Sequence, residues 1–344
     1  MPQNSRASNE PITANELQGV IPALATLMDY EGNVDLERQG MLVDDLVEQE
    51  VDAILVMGTT GQAATFDYDE HIAQVVHTHH IIDGRVPMIV GAGTNDTNKA
   101  VELAQKIERA IGPTTFLEAT GYYLKPPAEA AVRHYERIAD AIEGNIVFYN
   151  VPGRTALNLE DAPVIYLANT RPDKFIGLKQ AAPDDEYTQN IINETNPERF
   201  SVVSGEDDGV YKTMSMGGRG VISTTANACP RLFQNITEAM LAGNHEEGRM
   251  RQEEAMPFVS YAFGKPGNNP INLAYLFRSG ARGCNDTLES MALRAENIAG
   301  VTGSEKYRER AEAFRNLMQE GDRLVQEYGP GTTGMDLQKY RRMA

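Results

Sequence analysis

The chain has 344 residues, 41% of them hydrophobic; that is enough to bury the core of one large barrel or two ordinary domains, which excludes a disordered or fibrous protein. Its 49 acidic residues against 31 basic ones leave a formal charge of -18, which repels nucleic-acid backbones and anionic membrane surfaces and leaves small-molecule chemistry as the expectation; the surplus also fits adaptation to high salt. Two cysteines, Cys229 and Cys284, are too few for a disulfide framework, residues 1–18 lack the apolar stretch of a secretory signal, and no run approaches a membrane span, so the expectation is a soluble cytoplasmic protein with reduced thiols.

Residues 1–18 read as a polar extension. From Gly19 onward short apolar runs alternate with helical patterns, the rhythm of parallel βα units. The predicted strands are Val20–Ala25, Ala53–Met57, Val86–Val90, Thr115–Ala119, Ile146–Asn150, Phe175–Lys179, Ser201–Ser204 and Gly220–Ser223. Helices are predicted over Leu36–Glu50, Glu70–Ile82, Asn98–Ile111 and Ala128–Ile142, where apolar residues recur at helical spacing. Eight strands, most followed by a helix, match a closed (β/α)8 TIM barrel over residues 19–226. A doubly wound open sheet shares the rhythm, but no glycine-rich dinucleotide fingerprint follows the first strand.

Beyond residue 226 the pattern changes to helices alone: Leu232–Ala242, His245–Phe263, Pro270–Ser279 and Ser304–Tyr328. This predicts a C-terminal helical appendage over 227–328. Residues 329–344, with Gly, Pro and charges, read as a flexible tail.

In a barrel the reacting groups stand at the C-terminal ends of strands, so those positions carry the chemistry. Strand six reads Phe-Ile-Gly-Leu-Lys and ends at Lys179, one of only 9 lysines in the chain. Burial disfavours the ammonium form of a lysine, and the neutral amine is what attacks a ketone. The structural alternative is a lysine snorkelling to the rim or paired with Asp184.

Strand five ends Phe148-Tyr149-Asn150-Val151-Pro152-Gly153-Arg154. A tyrosine there can relay protons and an arginine after a Pro-Gly turn can grip a carboxylate. The alternatives are a core aromatic and a solvated charge. Gly58-Thr59-Thr60-Gly61-Gln62 after strand two can close around a carboxylate, or simply turn. Gly121-Tyr122-Tyr123-Leu124-Lys125-Pro126 adds two phenols near the same rim.

Taken in order, Gly-Thr-Thr-Gly, Tyr-Tyr-x-Lys-Pro, Tyr-Asn-Val-Pro-Gly-Arg-Thr, Gly-Leu-Lys and Gly-Val-Ile-Ser-Thr-Thr-Ala-Asn give a chain that resembles the dihydrodipicolinate synthase and N-acetylneuraminate lyase family from about Gly19 to Ser279. The resemblance implies a pyruvate-dependent class I aldolase, without cofactor or metal, built as a homotetramer that is a dimer of dimers. It implies that Lys179 holds pyruvate as an imine, that Tyr149 shuttles protons through Thr59 to Tyr123 of a neighbouring subunit, and that Thr60 holds the pyruvate carboxylate with backbone help at Gly205 and Ile222. Arg154 looks like the synthase branch, where it binds the carboxylate of aspartate semialdehyde; the alternatives are an aldolase or dehydratase of keto-deoxy sugar acids and a non-catalytic 2-oxo acid sensor.

Three positions depart from the family pattern. Gln62 and Gln180 stand where Glu is usual, and Gly121 where Pro is usual. Two carboxylates lost around the lysine are expected to alter its electrostatics. In lysine-inhibited members the allosteric pocket uses a Glu where Lys99 stands here, while Tyr122, His71 and Asn95 keep part of it, so feedback by lysine is expected to be weak or absent.

Two further features are read as structural. His77, His79 and His80 crowd one helix without a third convergent ligand, and Asp207 and Asp208 read as carboxylates at a helix start.

Overall fold

The computed structural model describes residues 10–119, 121–279 and 288–343; Cys284 and residues 1–9 lie outside them. Eight strands form one parallel sheet: β1 (Gly19–Pro22), β2 (Ile54–Val56), β3 (Met88–Gly91), β4 (Thr115–Glu118), β5 (Asn145–Asn150), β6 (Phe175–Gln180), β7 (Ser201–Ser204) and β8 (Gly220–Ser223). β1 pairs with β8 from Gly19↔Gly220 to Pro22↔Ser223. On its other side the Ala23↔Leu55 bridge, with Leu24 N–H donating to the Leu55 carbonyl at 2.8 Å, joins β1 to the edge of β2 and closes the barrel. The expected (β/α)8 architecture is therefore the one observed.

Closure divides the strand residues between two apolar layers, because successive side chains point to opposite faces. Ile21, Leu55, Ile89, Leu117, Val147, Val203 and Ile222 pack together as the inner layer. Val20, Ile54, Val56, Val90, Phe116, Phe148, Val202 and Val221 pack outward in the larger cluster shared with the surrounding helices. An irregularity at Ile146/Val147 in the β5–β6 register shifts the pairing from Ile146↔Phe175 to Val147↔Gly177. Gly177 lies at this shift because a Cβ there meets the Leu17 side chain at 2.3 Å and the Ser201 carbonyl at 2.4 Å.

That contact with Leu17 corrects one expectation. Residues 11–18 are a plug rather than a polar extension: Ile12, Ala14 and Leu17 join the inner layer. Ile12 N–H donates to Thr115 Oγ1 at 2.9 Å, Asn145 Nδ2 donates to the Ile12 carbonyl at 2.7 Å, and Ser201 Oγ donates to the Leu17 carbonyl at 2.6 Å. The plug seals the N-terminal mouth, so the barrel opens only at the other end.

Part of the acidic surplus starts helices. Asp35, Asp67, Asp96 and Asp184 each accept from backbone N–H groups at an N-cap, and Asp67 forms a capping box with Glu70, the placement that satisfies orphan donors and the positive end of the helix dipole.

The helix Pro230–Leu241 follows β8 and buries Leu232, Phe233 and Ile236, and its Gln234 Nε2 donates to the Gln49 carbonyl at 2.6 Å. It is the eighth barrel helix, so the barrel extends past residue 226. His245–Ala262, Ile271–Leu276, Leu288–Thr302 and Glu305–Glu327 make the expected appendage. The stretch from residue 329 is not a loose tail: it carries the helix Leu337–Met343 with Tyr340 fully buried. Tyr340 Oη donates to Asp45 at 2.5 Å, Lys339 pairs with Asp45 at 3.0 Å and Arg341 with Asp322 at 2.5 Å. Among the described residues no helix is long and apolar enough to cross a membrane.

Candidate active site

At the open mouth β5 and β6 place Tyr149 and Lys179 in register with each other. Strand alternation turns both side chains inward, beside Val147 and Val203 of the inner layer. Lys179 is 5% exposed, and its Nζ stands 4.5 Å from the centroid of the Tyr149 ring. Pairing with Asp184 does not occur: that carboxylate caps the helix Asp185–Glu194, accepting from Tyr187 N–H at 3.0 Å. The lysine is thus a buried amine against a phenol, at the position where a barrel does its chemistry.

Thr60 follows β2 and Thr224 follows β8; their Oγ1 atoms lie 2.8 Å apart. Asn269 Nδ2 reaches both, at 3.4 Å to Thr60 and 3.3 Å to Thr224. Arg154, at the end of the short helix Pro152–Thr155, donates to the Asn269 carbonyl at 3.1 Å. Neither Thr224 nor Asn269 is prominent in the sequence. Thr224 repeats a hydroxyl already in a Ser-Thr-Thr run, and Asn269 is some 209 residues from Thr60, so only the folded chain puts them together.

Gly205 N–H donates to the Gln180 carbonyl at 2.6 Å. That amide is engaged by the sheet. Ile222 is buried in the inner layer. Thr59 is half-buried in the turn before Thr60. Tyr123 is 86% exposed with a left-handed φ of 68°, and in the single chain it points to solvent rather than to Tyr149.

Gln180 alternates with Lys179 and faces the helix layer, where its Oε1 accepts from Asn150 Nδ2 at 3.0 Å. Gln62 is buried with its Nε2 directed to Met28 Sδ at 3.9 Å. The carboxylates that sense Lys179 are Glu206 and Asp207. Burial raises both above the ordinary carboxyl range, and the lysine charge opposes the rise. Asp207 is not a helix-start residue, since the helix begins at Val210; it is buried and accepts from Thr225 N–H at 2.7 Å and Thr225 Oγ1 at 2.5 Å.

At the neighbouring rim Asn95 Nδ2 donates to the Tyr122 carbonyl at 3.3 Å, and His71 Nε2 lies 2.9 Å from the Gly91 carbonyl. Burial pushes His71 down to about 4, so its ring is neutral in neutral solution. Lys99 is exposed, and its carbonyl accepts from Tyr68 Oη at 3.2 Å. His77 contacts the Leu36 carbonyl at 3.2 Å.

A closed (β/α)8 barrel with a buried lysine and an in-register tyrosine at its one open mouth defines a lyase of the class I aldolase type. Comparison with known proteins gives the family. The model of the dihydrodipicolinate synthetase family matches residues 16–281, and the chain belongs to that family. The chain is 37% identical over 259 residues to the 4-hydroxy-tetrahydrodipicolinate synthase of Pseudomonas putida, covering 75% of this chain and 87% of that protein. It is 38% identical over 255 residues to the synthase of Idiomarina loihiensis, covering 74% of this chain and 84% of that one. The crystal structure of the chloride-inhibited dihydrodipicolinate synthase from Acinetobacter baumannii complexed with pyruvate superposes with a TM-score of 0.76 at 29% identity, covering 89% of this chain and 99% of that one.

Proposed function

We propose that the protein condenses pyruvate with aspartate semialdehyde through an imine on Lys179, the activity of a 4-hydroxy-tetrahydrodipicolinate synthase of lysine biosynthesis. The observation that carries the reading is the buried amine of Lys179 over the Tyr149 ring. Nζ attacks C2 of pyruvate, water leaves, and the imine loses a proton from C3 to give an enamine. The enamine carbon then bonds to the aldehyde carbon of the second substrate, whose own amino group attacks the regenerated imine carbon, closes the ring and expels the Lys179 amine, so that the water lost at imine formation is the one released overall.

Tyr149 moves protons in these steps, with Thr59 as relay and Tyr123 supplied by a second copy in a tetramer built as a dimer of dimers. The exposure of Tyr123 in the single chain supports this, because an exposed phenol on a left-handed turn is free to enter a neighbour. Thr60 holds the pyruvate carboxylate. Arg154 holds the carboxylate of the aldehyde, and its tether to the Asn269 carbonyl supports this, since it holds the guanidinium at the mouth. We assign the reaction to the cytoplasm. Lys99 in place of an acidic residue is read as weakening lysine feedback by like-charge repulsion.

The test is a coupled assay with aspartate semialdehyde beside a keto-deoxy sugar acid. Turnover with the semialdehyde is expected, and Arg154→Ala raises its KM by roughly 10- to 100-fold, the worth of a charge-assisted hydrogen bond. Turnover with the sugar acid alone would instead overturn the assignment of the acceptor.

A further inference from the structure

We propose that Thr224 and Asn269 complete, with Thr60, a three-donor clamp for the pyruvate carboxylate, and that Asn269 also positions Arg154. The inference rests on the pyruvate reading above and adds two residues to it.

Thr60, Thr224 and Asn269 are each more than nine-tenths buried. The two threonine hydroxyls are hydrogen-bonded to each other at 2.8 Å. The Asn269 amide contacts at 3.4 and 3.3 Å are at the long end for N–H donors. The Asn269 Oδ1 is buried and has no hydrogen-bond partner among the described residues. The stretched donors are what a carboxylate satisfies, whereas the Oδ1, itself an acceptor, calls for a donor other than the carboxylate. Each hydroxyl can rotate its proton away from the other, so a carboxylate oxygen placed beside the pair, at hydrogen-bond distance from each, accepts from both and from the amide. None of the three side chains carries charge, so they fix the carboxylate by direction rather than by ion pairing.

Asn269 has a second connection. Its backbone carbonyl accepts from Arg154 at 3.1 Å, so one residue links the group that holds pyruvate to the group assigned to the second substrate. Displacing the Asn269 backbone disturbs both sites, whereas removing the Thr224 hydroxyl or the Asn269 side chain disturbs only the first. This difference makes the two roles separable.

The experiment measures steady-state kinetics of Thr224→Val, Thr224→Ser and Asn269→Ala, with borohydride trapping of pyruvate and of pyruvamide, which lacks the carboxylate. Thr224→Val is expected to raise the pyruvate KM roughly 10-fold while kcat stays within about threefold, the pattern of lost uniform binding. Thr224→Ser restores KM. Pyruvamide is trapped equally by the wild type and Thr224→Val. Asn269→Ala raises the pyruvate KM but keeps the backbone carbonyl that accepts from Arg154, so the KM for the second substrate stays within about threefold. An unchanged pyruvate KM in Thr224→Val, or a loss of pyruvamide trapping as large as that of pyruvate, overturns the clamp. A wild type that traps neither ketone overturns the imine reading itself, which the other outcomes leave standing.

Discussion

Glu118 ends β4 facing the helix layer, fully buried, and neither carboxylate oxygen has a hydrogen-bond partner among the described residues. Burial alone pushes its carboxyl well above the ordinary 4.5, because a charge without partners is costly in a low-dielectric interior. The folded state therefore keeps a proton that the unfolded chain loses above about 4.5, and stability falls as pH rises from there toward the folded value. His71 and His134, both pushed down to about 4 by burial, act in the opposite sense: their contribution is present above 6.5 and is lost as pH falls toward 4. Comparing variants isolates Glu118. Glu118→Gln is expected to gain on the wild type in urea-unfolding free energy as pH rises above 4.5, by roughly 1.4 kcal/mol per pH unit until the folded carboxyl ionises. A gap that stays constant with pH would show that this carboxyl ionises normally. Nothing in a Thr-Phe-Leu-Glu run tells which face the Glu takes; only strand alternation inside a closed barrel does.

Elements were legible where a periodic signal ran for several residues. The eight strands were such a case, since runs such as Ile-Val-Phe-Tyr-Asn in β5 are buried on both faces, the mark of parallel sheet strands. The terminal segments were not, because their apolar residues are sparse and their partners lie far away in sequence. Ile12, Ala14 and Leu17 are spaced through polar residues, and what defines them is Thr115, Asn145 and Ser201. The helix Leu337–Met343 offers one aromatic among charges, yet Tyr340 packs edge-on to Phe277 with ring centroids 5.1 Å apart, and Arg341 Nε donates to the Leu276 carbonyl at 3.1 Å. Deleting residues 334–344 removes these contacts together with the Asp45 and Asp322 pairs. Burial of one such aromatic side chain is worth about 2 kcal/mol, so scanning calorimetry is expected to show a Tm lower by roughly 3 °C; an unchanged Tm contradicts a structural role for this helix.

For the whole molecule, the plug closes one end of the barrel, leaving the other as the mouth where Lys179, Tyr149, Thr60 and Arg154 converge. Those four could be singled out as candidates in the sequence because a barrel's chemistry has fixed addresses at and just beyond strand ends. The sequence hid the contacts of Thr224, Asn269 and Asp207, which come from strand closure and from a segment after the barrel that returns to Thr60 and Thr224. The account's centre is the amine of Lys179, and pyruvate with borohydride followed by peptide mass mapping tests it most directly. With only 9 lysines in the chain the assignment is unambiguous. One reduced pyruvate adduct is expected, on the peptide holding Lys179 and absent from Lys179→Ala. An adduct on another lysine, or full turnover by Lys179→Ala, would contradict it.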